Sequence, residues 1–146
     1  MEQKSSTLLK EGIAALDAGN TGLALQRLQA AADLDESPEV LSHLAFCVAK
    51  ERQDYKRAEA LCREAIDEEP WYSVHYLNLG RILLLEGRKE EAIRAFRDGL
   101  LREANPRIKA ELENLGIRKY PVISSLPREH FLNKYLGKLL TALKLR

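Results

Sequence analysis

The stretch YLNLGRILLLEGRKEEAIRAF, from Tyr76 to Phe96, decides the fold. It reads as two amphipathic helices, with the small residue Gly80 in the first, Ala92 and Phe96 in the second, and Gly87 as the turn signal between them. Working outward, the same arrangement recurs. Ala24, Ala58 and Ala92 stand 34 residues apart each time, and Leu28, Cys62 and Phe96, then Ala31, Ala65 and Gly99, keep that frame, as do Gly19, Gln53 and Gly87. Upstream of these the intervals become 33 and 35, for Leu8, Leu41 and Tyr76 and for Gly12, Ala45 and Gly80, which predicts a one-residue insertion in the turn around Arg52. A period of this size is the signature of a stacked repeat.

Each unit is a hairpin of an A helix, carrying Gly12, Ala45 or Gly80, and a B helix, carrying the alanine. Helices that pack closely need a position without bulk at their crossing, and large neighbours such as Leu28 and Phe96 then fill the holes. One hairpin cannot bury its own apolar face, so three must stack. Pro38, Pro70 and Pro106 are expected to close each B helix and open the next helix, where a missing donor costs least.

These residues resemble the tetratricopeptide-repeat family, in the form of a small bacterial-type protein of three repeats with C-terminal capping helices. The third unit matches best, at Tyr76, Leu79, Gly80, Gly87, Ala92 and Phe96, with Leu83 in place of an aromatic and Ala104 in place of a proline. In the second, Leu41, Leu44, Ala45, Asp54, Tyr55, Ala58, Ala65 and Pro70 fit and Cys62 replaces an aromatic, while in the first Glu11 stands where leucine is expected. The resemblance covers about residues 5–106. It implies an all-α, right-handed α-solenoid of three helix-turn-helix repeats, about 5–37, 38–72 and 73–106, followed over 107–146 by a capping helix, an irregular strap and a C-terminal amphipathic helix.

The resemblance further implies a concave side lined by A helices, and so a partner-binding groove at Leu9, Ile13, Leu16, Ser42, Phe46, Ala49, Val74, Leu77, Arg81 and Leu84. The set is mostly apolar, which suits a partner helix or peptide. The family's carboxylate clamp needs polar side chains where this sequence has Leu9 and Ile13, so capture of an acidic C-terminal peptide is not expected. Trp71, beside the third A helix, is a candidate aromatic anchor, whereas Tyr76 matches a packing position.

Composition narrows the alternatives. Charged residues make up 31% and apolar ones 45%, with no membrane-length apolar run and no targeting pattern at the N-terminus, so a soluble, cytoplasmic protein is expected. Cys47 and Cys62 form neither a CxxC pair nor a disulfide framework. His43 and Cys47, four apart on one helix, lack further ligands for a metal, and no phosphate-binding glycine loop or nucleophile constellation is present. No enzyme activity, cofactor or metal is expected, and the partner is a protein or peptide rather than a nucleic acid. The acidic clusters at Asp33, Asp35, Glu36 and Glu39 and at Asp67, Glu68 and Glu69 are expected to be solvated helix ends.

Net charge is +1, but residues 1–106 carry 14 basic and 19 acidic side chains against 9 and 3 over 107–146. The tail should open with a helix capped by Asn105 and Pro106, striped by Ile108, Leu112 and Leu115 and stopped at Gly116, with Ile117 folding back towards Leu112. The strap, 117–127, follows, and then a helix from about Arg128 to Leu143 with Leu132, Tyr135, Leu136, Leu139, Leu140 and Leu143 on one stripe. Such a basic amphipathic helix supports three expectations: docking on the repeats, self-association, or, as the alternative function, peripheral binding to an anionic membrane or nucleic acid, with Tyr120, Phe131 and Tyr135 interleaved among the basic residues. If the helix docks, deleting residues 128–146 lowers the melting temperature and raises binding of a hydrophobic dye. Unchanged melting without dye binding counts against docking.

Overall fold

The computed structural model of the chain describes residues 1–116 and 131–143. Among the described residues are eight helices and no strand: α1 (Glu2–Asp17), α2 (Thr21–Ala32), α3 (Pro38–Arg52), α4 (Tyr55–Glu68), α5 (Ser73–Leu85), α6 (Lys89–Arg102), α7 (Pro106–Asn114) and α8 (Phe131–Ala142). The chain divides into two compact units, Met1–Leu112 and Glu113–Arg146. The first unit is an all-α solenoid. α1 pairs with α2, α3 with α4 and α5 with α6, and the hairpins stack through α2 on α3 and through both α3 and α4 on α5.

Local chemistry sets the helix boundaries. Asn20 Oδ1 accepts the Leu23 amide at 3.1 Å, Asp54 Oδ1 accepts that of Arg57 at 3.2 Å, and Asn105 Oδ1 accepts that of Ile108 at 3.2 Å, each satisfying a donor that a helix start leaves unpaired. Pro38 and Pro106 open α3 and α7, as expected. Pro70 opens nothing: α5 begins at Ser73, and the Pro70 carbonyl instead accepts the Tyr76 hydroxyl at 2.8 Å, which pins the turn against the next helix.

The extra residue of the second repeat is absorbed by its helix rather than by its turn. α3 has 15 residues against 13 in α5, and the turn shrinks to Gln53 and Asp54. Gln53 holds the left-handed conformation there, at φ 54, that Gly19 and Gly87 supply in the other hairpins.

Packing follows the small-to-large pairing. A Cβ on Gly12 would lie 2.6 Å from Leu28 Cγ, and one on Gly80 would overlap the buried Phe96 ring. Ala45 and Cys62, both fully buried, hold the same places in the middle repeat. A second contact of this kind carries the stack forward. A Cβ on Gly99 of α6 would meet Ile108 Cδ1 at 2.7 Å and Tyr76 Cβ at 2.8 Å, so α7 closes the array by pressing Ile108 into α6.

The strap expected over 117–127, the fold-back of Ile117 and residues 128–130 of the last helix lie outside the described residues. In the second unit α8 presents Tyr135, Leu139 and Leu143 as exposed side chains, with Leu136 and Leu140 half-buried.

Substituting Gly80→Ala forces a methyl into a filled crossing, and overpacking of this sort costs roughly 1–3 kcal/mol. The urea midpoint should fall with an unchanged slope. A midpoint equal to wild type would mean that the Phe96 ring gives way and that the crossing tolerates bulk.

Candidate partner-binding groove

The A helices set out a curved face, and two ion pairs establish its curvature. Arg107, at the start of α7, lies 3.1 Å from Asp17 at the end of α1, although 90 residues separate them. Arg81 of α5 donates to Glu111 of α7 at 2.7 Å. Side chains of the first and fourth A-type helices can meet only if the array curls towards this face.

Seven of the ten residues assigned to the groove from the sequence are partly accessible: Leu9, Ile13 and Leu16 on α1, Phe46 on α3, and Val74, Arg81 and Leu84 on α5. Arg81 also sits over the Phe46 ring, with its guanidinium carbon 5.8 Å from the centroid. The other three are core residues. Ser42 and Ala49 are buried because α3 is packed by α2, α4 and α5, and Leu77 because α5 is packed by α3, α4 and α6, so each helix has a wider covered stripe than a two-neighbour helix. Ser42 Oγ accepts from Asn78 Nδ2 at 2.9 Å, which ties the second repeat to the third rather than to a ligand. A charge at Leu77 would test folding, not binding. Trp71 is 64% exposed, which leaves its ring available as an anchor.

The sequence reading missed a polar seam between repeats two and three. Tyr72 donates to Glu39 Oε1 at 3.3 Å, its ring meets His75 edge-on at 5.0 Å between centroids, and His75 Nε2 donates to Glu69 Oε2 at 3.2 Å. Within the third repeat, Ser73 donates through its amide and hydroxyl to Glu103, at 3.1 and 2.8 Å, and Asn105 Nδ2, ahead of α7, donates to Ser73 Oγ at 2.9 Å. Glu39 and Glu69, read from the sequence as solvated helix ends, are therefore structural acceptors. No spacing rule announces such pairings, since the partners of Glu39 and Glu103 lie about thirty residues away.

Chemistry at the titratable groups is subdued. Burial pushes the Cys47 and Cys62 thiols up to about 12, and Cys62 Sγ donates to the His75 carbonyl at 3.2 Å. His43 donates through Nδ1 to the Glu39 carbonyl at 2.8 Å. Among the described residues no three His, Cys, Asp or Glu side chains come together as a metal-binding group.

A family model described as tetratricopeptide repeat matches residues 49–115. Solved structures of similar fold include the first tetratricopeptide domain of Spaghetti (RPAP3) bound to the HSP90 peptide SRMEEVD, with TM-score 0.61, 22% identity and coverage of 78% of this chain and 94% of that one. The Arabidopsis OM64 tetratricopeptide domain gives 0.62 at 22% identity, covering 78% and 95%. The second such domain of human RPAP3, in complex with the HSP70 peptide SGPTIEEVD, gives 0.59 at 22%, covering 80% and 98%. Hairpins in 34-residue phase, closed on small residues and curled about their A helices, define a helical repeat scaffold. Residues 49–115 match the tetratricopeptide repeat, and the fold of the chain is that of tetratricopeptide domains.

Burial lowers the pKa of both His43 and His75, against the opposing pull of Glu39 and Glu69. A histidine whose folded value lies below its unfolded value of about 6.5 favours the fold while neutral, so this stability is complete above that pH and drains as pH falls through it. Thermal unfolding should therefore shift down between about pH 7 and pH 5, and less so in a His43→Gln, His75→Gln double variant. Parallel profiles for the two proteins would remove the histidines from the pH response.

Proposed function

We propose that the protein is a non-catalytic adaptor that holds a peptide or helix of a partner protein in the groove of its A helices. The observation that carries this reading is the run of incompletely covered apolar side chains on the curved face: Leu9, Ile13, Leu16, Phe46, Val74 and Leu84. Apolar surface left open in a concave site favours an amphipathic occupant, because covering it removes water from both partners. Similar domains binding short peptides support the general role.

The groove's polarity separates this chain from a carboxylate receptor. Leu9 and Ile13 offer no donor, and the groove cation Arg81 is already engaged by Glu111. The favoured occupant therefore presents leucine-like side chains at helical spacing, with Trp71 available at the edge as a further contact. Ser42, Ala49 and Leu77 support the face from behind.

Affinity capture from native lysate, with wild type beside Phe46→Glu and Ile13→Glu, tests the reading. Both positions are part-exposed, so the variants should keep their helical circular dichroism and lose the captured partner, at a cost of at least about 2 kcal/mol if either is a central contact. Folded variants that retain every specific partner would place binding elsewhere.

A further inference from the structure

The A helices are joined across their shared face by a circuit of side chains. Leu9, Ile13 and Asp17 follow one another at intervals of four on α1 and so share a stripe, and Arg107 and Glu111 do the same on α7. Arg107 Nη2 lies 3.1 and 3.3 Å from the two Asp17 carboxylate oxygens. One turn further along α7, Glu111 holds Arg81 of α5, whose guanidinium sits over the Phe46 ring of α3. Burial is the main cause that lowers the pKa of His43, and the Arg107 charge adds to it, which brings the guanidinium close to α3, between the two ends that it joins.

The links of this circuit differ in strength. α7 is fixed at its inner side, where Ile108 is fully buried against Gly99 and the Arg81 and Glu111 side chains are only 29% and 22% exposed. Arg107 and Asp17 are 56% and 50% exposed, and among the described residues neither has a second ion-pair partner. Water and salt reach that pair, so it is the weaker link. Behind it, α1 packs chiefly on α2, whereas α3 and α5 pack directly on each other. The circuit therefore breaks first where α1 meets the far end of the array.

We propose that the Asp17–Arg107 pair is a latch across the mouth of the A-helix groove. Closed, it holds α1 towards α7 and restricts entry; an occupant or high salt that parts the two charges frees α1 to move away. The inference rests on reading the A-helix face as the binding groove, but the latch can be measured with no partner present. It reverses the usual sign of salt. Binding driven by charge weakens as salt rises, whereas a groove opened by parting its own charges takes an apolar occupant more readily.

Paired spin labels on Ala14→Cys of α1 and Ala110→Cys of α7, in the full-length chain, read the latch. Both alanines are exposed, and Cys47 and Cys62 are buried with thiols pushed up to about 12, so the labels go to the introduced cysteines. Wild type at low salt should show a short and a longer distance. Asp17→Asn, Arg107→Gln or high salt should raise the longer population roughly two- to fivefold, as expected for an exposed pair. Exchanging the charges with Asp17→Arg and Arg107→Asp should restore the wild-type distribution, which damage to the fold would not do; it also suits both helix ends, a cation at the last turn of α1 and an acid in the first turn of α7. Anilinonaphthalene sulfonate should fluoresce more with Asp17→Asn than with wild type, and Phe46→Glu should remove that gain while leaving the distances unchanged. A distribution that ignores salt and both single substitutions, or that the exchange does not restore, overturns the latch whatever the groove binds. Distances that respond while the dye gain survives Phe46→Glu overturn the groove reading and keep the latch.

Discussion

Everything in the repeat unit depends on how closely an A helix and its B helix can approach. Gly12 and Gly80 permit backbone-to-side-chain contact that no larger residue would allow, and Leu28 and Phe96 fill the space so created. That close crossing removes the largest core side chains from water and fixes the hairpin's angle, from which the placing of the next hairpin follows. The middle repeat reaches the same end with a different balance, Ala45 against the smaller Cys62. The two positions trade volume in opposite directions, and the crossing is preserved.

Stacking adds a second layer with different chemistry. Where the second hairpin meets the third the apolar contact is supplemented by directional bonds, Asn78 to Ser42 and Tyr72 to Glu39, while the Ser73 pair to Glu103 ties the two ends of the third hairpin together. The bonds between hairpins have narrow geometric tolerance, so they set the rotation between neighbouring repeats more tightly than leucine packing could. The Arg107–Asp17 and Arg81–Glu111 pairs then bring the ends of the face together.

The hairpins, their crossings and the caps at Asn105 and Gly116 were legible in the sequence because each depends on residues close together or held in a fixed period. Burial on α3 and α5 was not. Ser42, Ala49 and Leu77 occupy positions that family geometry leaves to a ligand, and only the arrangement of the flanking helices shows that they are covered. Pro70 and the displaced insertion illustrate the same limit. A proline marks a boundary without saying on which side the helix starts, and an extra residue can lengthen a helix as readily as a turn, depending on whether a residue such as Gln53 can adopt positive φ. The ion pair between positions 17 and 107 has no local signature at all.

The least supported wall of the groove is α1. It buries only Ser5, Gly12 and Ala15, packs chiefly on α2, and is joined to the far end of the unit by one half-exposed ion pair. Regions with few buried contacts open at the smallest free-energy cost. α1 is thus the wall that yields at least cost, while the second and third hairpins are bonded to each other through Asn78 and Ser42. If the face holds a partner as proposed, one yielding jaw and one firm jaw would let the aperture follow the girth of the occupant, a narrow extended strand or a broader helix, without repacking the interior. In that reading selectivity would fall to the firm side, where Arg81 sits over the Phe46 ring, and the Leu9, Ile13 and Leu16 side would mainly contribute grip.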